Sequence, residues 1–250
     1  EDPRSEWERI ALLFNSDRAT WYWGSSTEFP ATLLREQLAM PQCPGPVEAA
    51  LARAGMAHAS SRYDEAVELY RGAKREWEAL AKAYALTPSG FLFPEHELYF
   101  AAAVGGVLET DGRDEEALQE YARAQPFAAK LHEAHPDAAL LPSCAGSAHY
   151  HAGRYVEAFW AYVDAKLMRD ESLGPRHVDT ALVYNNLACC LDRLNVPTKA
   201  ADLLKEAHGA LVAVLGTSHP RSEACGRNLS RVSKRQLKRD APTRFQELRR

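Results

Sequence analysis

The sequence predicts an all-α chain folded as a stack of helix hairpins. Three observations carry that prediction: a 42-residue internal period, two amphipathic helical patterns in each period, and small residues recurring at matching points of those helices. Phe93-Pro94, His135-Pro136 and His219-Pro220 fall on the 42-residue lattice, and His177-Val178 fills the remaining step. Leu131, Leu173 and Leu215 keep the same spacing, as do Asn186 and Asn228. Several residue types recurring together at one period mark a repeat architecture.

The elements follow in order. Ser5 to Phe14 and Pro30 to Met40 read as short helices, with Trp21, Tyr22 and Trp23 between them. Residues 1–46 are expected to cap the array, and the three aromatics could serve instead as an exposed docking patch. The first unit, about 47–93, pairs Val47–Ser60 with Arg62–Ala85, and residues 86–94 form an insertion. The second, about 94–135, pairs Glu95–Thr110 with Asp114–Ala134 across Asp111-Gly112. The third, about 136–177, pairs Leu140–Ala152 with Tyr155–Arg169 across Gly153-Arg154. The fourth, about 178–219, pairs Val178–Leu194 with Thr198–Leu215, where Pro197 and Thr198 mark a helix start. A capping helix over 220–239 closes the 47–239 array, and 240–250 is read as a basic tail.

Small residues set how closely these helices approach. Ala54, Gly105, Gly146 and Ala188 occupy one point of the first helices. Ala66, Ala117, Ala158 and Ala200 do so in the second helices, followed by Tyr70, Tyr121, Tyr162 and Leu204. A large side chain can fill the hole that a small one opens on the facing helix.

Composition excludes several classes. Of the 250 residues, 46% are hydrophobic and 26% charged, as in an ordinary folded protein, and no run reaches the apolar length of a membrane span. The opening Glu1-Asp2-Pro3-Arg4 has no signal-peptide character and no initiator methionine, as expected of an excised piece. The odd set Cys43, Cys144, Cys189, Cys190 and Cys225 shows no C-x-x-C pairing, so reduced cytoplasmic thiols are expected. Net charge is −4 but uneven: residues 227–250 carry nine basic and two acidic side chains, a net of +7 against −11 for the rest.

Gly-Arg-Tyr-Val-Glu-Ala-Phe (153–159) and Ser-Arg-Tyr-Asp-Glu-Ala-Val (61–67) resemble the turn and second helix of the tetratricopeptide repeat (TPR), over roughly Val47 to Lys238. The 42-residue spacing, Leu-Gly-x-x-His-Pro and Tyr184-Asn185-Asn186-Leu187-Ala188 are similar to the kinesin-light-chain-like subgroup. The resemblance implies a right-handed superhelical solenoid whose first helices line a concave groove that accepts a peptide or partner helix. It implies a non-catalytic scaffold or adaptor in a cytoplasmic setting, with motor, microtubule and ciliary assemblies as the family context.

Projecting the family's groove positions onto this chain gives Tyr99, Ser143, Ser147, Tyr150, Asn185, Asn186, Cys189, Arg227, Asn228, Arg231 and Lys234 as partner-binding candidates. Basic side chains beside amides suit an acidic or carboxylate-bearing peptide. No catalytic residue, metal site or cofactor is expected. His132, His135, His149 and His151 lack the order of a helical zinc site, and no phosphate-cradling or nucleophile-elbow motif occurs. The alternatives are a substrate-positioning helical domain of a larger enzyme, such as a MYND-linked methyltransferase, and nucleic-acid contact through the basic tail.

Overall fold

The computed structural model describes residues 45–83, 94–131 and 135–247; the readings of residues 1–44, including Trp21, Tyr22 and Trp23, and of most of the 86–94 insertion lie outside them. The described residues form helices and contain no strand. In order they are α1 (Gly45–Ala59), α2 (Tyr63–Ala83), α3 (Pro94–Thr110), α4 (Asp114–Ala128), a 3-10 turn (Pro136–Ala139), α5 (Leu140–His151), α6 (Tyr155–Ser172), α7 (Val178–Arg193), α8 (Pro197–Leu215) and α9 (Pro220–Glu247).

The same turn closes each hairpin. Ser61, Gly112, Gly153 and Asn195 have positive φ values of 56°, 80°, 78° and 62°. At each, two backbone N–H groups reach back to the last carbonyls of the preceding helix. In the first unit Ser61 N donates to His58 O and Arg62 N to Ala57 O, and the pattern repeats at 112–113, 153–154 and 195–196. This double bond is the Schellman arrangement, which satisfies carbonyls that the helix end would otherwise leave bare.

The lattice histidines start the next units. The Nδ1 atoms of His135, His177 and His219 accept from the backbone N–H of Asp137, Asp179 and Arg221, each at 3.2 Å. Each imidazole Nδ1 takes the place of the side-chain oxygen of an ordinary helix N-cap. The 42-residue lattice is therefore a lattice of helix caps.

The two largest boundary differences from the sequence reading lie in α4 and α9. Helix α4 ends at Ala128 rather than Ala134, with Pro126 inside its last turn. Proline donates no N–H and its ring crowds the preceding turn, so the helix stops within two residues. Helix α9 runs past Arg239 to Glu247, so much of the segment read as a tail is helical.

Helices pack in hairpin pairs α1·α2, α3·α4, α5·α6 and α7·α8, and each hairpin stacks on the next through α2·α3, α4·α5, α6·α7 and α8·α9. First helices also touch along the stack, through α3·α5, α5·α7 and α7·α9. They form the inner layer, and Leu98–Glu109 of α3 and Val178–Asp192 of α7 are buried without interruption. A helix buried all round has neighbours on every face, which an amphipathic surface helix lacks.

In two of the hairpins glycine packs directly against tyrosine. A Cβ on Gly105 would lie 2.2 Å from the Tyr121 ring, and one on Gly146 2.8 Å from the Tyr162 ring. Both tyrosines are buried. Gly105→Ala should therefore destabilise by roughly 1–3 kcal/mol through overpacking, although the same change in an open helix interior stabilises by about 1 kcal/mol. Urea unfolding of Gly105→Ala beside Gly209→Ala, whose added Cβ meets nothing within 4 Å, should give opposite signs; equal signs would remove the contact from the account.

Burial also sets an acid response. The His58 imidazole is buried, lies 3.4 Å from Thr110 Oγ1, and is pushed down to about 4 by desolvation. The unfolded chain then binds a proton below the ordinary value near 6.5 that the fold refuses. Stability is thus full above about pH 6.5 and falls as pH drops toward 4, by up to about 1.4 kcal/mol per unit. The fall between pH 7 and 5 should be shallower in His58→Gln; parallel curves for the two proteins would show that His58 titrates normally.

Candidate functional site

The candidate residues lie on α3, α5, α7 and α9, which touch one another along the inner layer. Most are buried: Tyr99, Ser143, Ser147, Asn185, Asn186, Cys189 and Asn228. Tyr150 is half-buried, and Arg227, Arg231 and Lys234 are exposed. The structure thus separates an internal polar seam from an exposed basic edge.

The seam binds its own members. Asn228 Nδ2 of α9 donates to Asn185 Oδ1 of α7 at 3.0 Å, and Asn185 Nδ2 donates to Asn186 Oδ1 at 3.1 Å. Asn186 Nδ2 ends the relay, buried and with no hydrogen-bond partner among the described residues. Further up the stack, the buried Glu109 carboxylate accepts from Tyr121 Oη at 2.5 Å and Ser147 Oγ at 2.7 Å. His151 Nδ1 lies 3.4 Å from its second oxygen. This node ties α3, α4 and α5, and cutting one partner from a buried carboxylate costs the desolvation of what remains. Tyr99 bonds Asp137 across the same layer, and Ser143 Oγ donates to Ala139 O at 2.7 Å.

At the C-terminal end the seam meets the basic edge. Asp192 is 3% exposed; its Oδ1 accepts from Arg235 at 2.9 Å, and its Oδ2 lies 3.9 Å from Arg231 Nε. Arg227, Arg231 and Arg235 recur at i, i+4 and i+8, so one face of α9 presents them in a row. Arg227 also lies 3.8 Å from Glu223. The sequence reading missed Arg235, although the four-residue step from Arg227 and Arg231 points to it.

The thiols are placed for packing. Cys144, Cys189, Cys190 and Cys225 are buried and free. Burial pushes all four up, Cys189 to about 11 and Cys225 to about 12. A thiol held protonated is neither nucleophile nor metal ligand at neutral pH. Among the described residues no group of three metal-ligating side chains converges, and no helix is long and apolar enough to cross a membrane. Iodoacetamide at pH 8 should leave these four cysteines unmodified until denaturant is added; rapid labelling of Cys189 in the folded protein would show an open site there.

Residues 137–211 match the family model described as tetratricopeptide repeat. The fold is that of a tetratricopeptide-repeat solenoid. Three solved structures share this fold, one of them a putative kinesin light chain. A putative kinesin light chain with nearly identical TPR-like repeats from Podospora anserina is 18% identical, with a TM-score of 0.58, covering 82% of this chain and 94% of that one. BtubC (BKLC) from P. vanneervenii is 18% identical, with a TM-score of 0.54, over 76% of this chain and 67% of that one. The apo form of RapI is 15% identical, with a TM-score of 0.59; the match covers 83% of this chain and about half, 54%, of that one. No curated protein matches by sequence. The TPR fold is that of a protein-interaction scaffold.

Proposed function

We propose that this TPR-fold protein is a non-catalytic adaptor whose inner layer, at its C-terminal end, takes an acidic or carboxylate-bearing peptide. The observation behind this reading is the exposed Arg227, Arg231, Lys234 and Arg235 set on α9, anchored through Arg235 to the buried Asp192. Two carboxylates, Asp192 and Glu223, against four cations leave a local positive excess, and guanidinium forks pair carboxylates with charge-assisted bonds. The asparagine relay beside it supports the same reading, because Asn186 Nδ2 is a donor that a peptide carbonyl would satisfy once the seam opens. A motor or microtubule-linked assembly is the proposed setting, and it takes its support from the identities of the similar light-chain structures.

The test uses surface charges, because replacing the buried asparagines would disturb the fold. Wild type and Arg227→Glu/Arg231→Glu/Lys234→Glu should have equal helicity and melting. Display selection on the wild type should enrich acidic peptides, and the triple variant should bind them at least about tenfold more weakly, with both affinities falling as salt rises. Enrichment of neutral or basic sequences, or equal binding to both proteins, would remove the basic edge from the proposal.

A further inference from the structure

The second helices face outward, and in three of the four units one outward tetrad carries no large apolar side chain. The tetrad Asp64, Glu68, Arg71 and Arg75 on α2 is polar throughout, and so is the equivalent Thr198, Asp202, Lys205 and Gly209 on α8 apart from its glycine. On α4 the tetrad is Glu115, Gln119, Ala122 and Pro126. On α6 it becomes Val156, Trp160, Val163 and Leu167. The repeat architecture makes no such demand, since the other units fold without it.

These four side chains are spaced four, three and four residues apart, the d-a-d-a step of a coiled-coil seam. Val156 is 54% exposed, Trp160 61% and Leu167 60%, while Val163 is half-buried. Ala158, Tyr162, Ala165 and Arg169, on the opposite face of the same helix, are buried in the array. Helix α6 therefore carries two packing faces, and the array uses one.

The patch extends to the neighbouring turn. In the first two units the leading acid of the tetrad pairs with the arginine of the next turn: Asp64 with Arg113 at 2.6 Å, and Glu115 with Arg154. At the third step both partners are replaced, by Val156 and by Val196, and Val196 is 36% exposed. Of the seven large exposed hydrophobics among the described residues, four belong to this one feature, so they are clustered rather than scattered.

Charge specifies what fits. Glu157, Asp164 and Glu171 follow the seam at seven-residue spacing, at its e positions, and all three are exposed. None makes a hydrogen bond or ion pair with any described residue, whereas Asp64, Glu65, Glu68, Glu116 and Glu120 on α2 and α4 are all ion-paired. In coiled coils the e and g positions choose the partner through opposite charge. A second copy of α6 would bring a like-charged row and is disfavoured on that ground.

We infer that the outer face of α6 docks a partner protein's amphipathic helix, with an apolar seam packed on Trp160 and Leu167 and lysines or arginines facing Glu157, Asp164 and Glu171. The contact is independent of the inner layer. It spans little more than two heptads, below the roughly 1,200 Å² of a stable complex, so a micromolar, salt-sensitive interaction is expected.

Two synthetic helices of about three heptads test it, sharing leucine a and d positions and carrying either lysine or glutamate at e and g. By fluorescence anisotropy the lysine peptide should bind at least about tenfold tighter than the glutamate peptide. Trp160→Glu should weaken it at least about tenfold, whereas Val214→Glu, an exposed valine off the patch, and Arg231→Glu should leave it unchanged. Glu157→Lys/Asp164→Lys/Glu171→Lys should invert the preference. All variants should keep wild-type helicity. Failure of both peptides to bind, equal affinity for the two, or a wild-type dimer in sedimentation that Trp160→Glu dissolves would overturn the proposal, the last by giving the face to a second copy.

Discussion

The array depends on how closely two helices of one hairpin can approach, and a tyrosine ring lying where a side chain would otherwise stand sets that distance. Tyr121 fills the space over Gly105, and Tyr162 the space over Gly146. In the outer units Ala54 and Ala188 hold the glycine place, with Tyr70 and Leu204 opposite by the repeat register. Protein interiors are close-packed, so a void or an excess of one methyl group is felt. Because each hairpin repeats the geometry, the spacing propagates along the stack, and the caps need only aim each helix at the next.

Backbone polar groups follow from that constraint. A helix packed on all sides cannot leave its ends to water, so each hairpin turn uses the same two reversed hydrogen bonds, and each inter-unit junction with a lattice histidine uses its imidazole as the cap. The buried polar side chains obey the same rule. Glu109, Ser147, Tyr121 and the asparagine relay are held inside the inner layer, where pairing with one another replaces hydration.

Much of the architecture was legible in the sequence because it is written in spacings. The histidine lattice, the glycine turns and the small–large rhythm each carry a period, and a period survives without coordinates. Pro126 could have been read as the end of α4, since its effect is local. The basic edge of α9 was legible for the same reason, save Arg235. Burial of the candidate seam was not. Helical periodicity tells which residues share a face, and nothing in it tells how many neighbours cover that face. Asn185 and Ser147 look alike whether they meet a ligand or the next helix, and here they meet the next helix.

The outer face of α6 shows the converse. Its residues escape a search for amphipathic periodicity because α6 is apolar on two sides, which blurs the pattern that a one-sided helix shows. They become visible only when one unit is held against another. Asp64 and Glu115 state what the position ordinarily does, which is to tie one unit to the next through an arginine. Val156 and Val196 give up that tie together, and an isolated drift of one residue would have left its partner's charge behind. Loss of both partners, beside a tryptophan, a leucine and a row of acids without ion pairs among the described residues, is a coordinated change of surface. In a repeat protein the other units serve as internal controls, and a unit that departs from them at several matched positions at once marks a contact that the stack itself does not use.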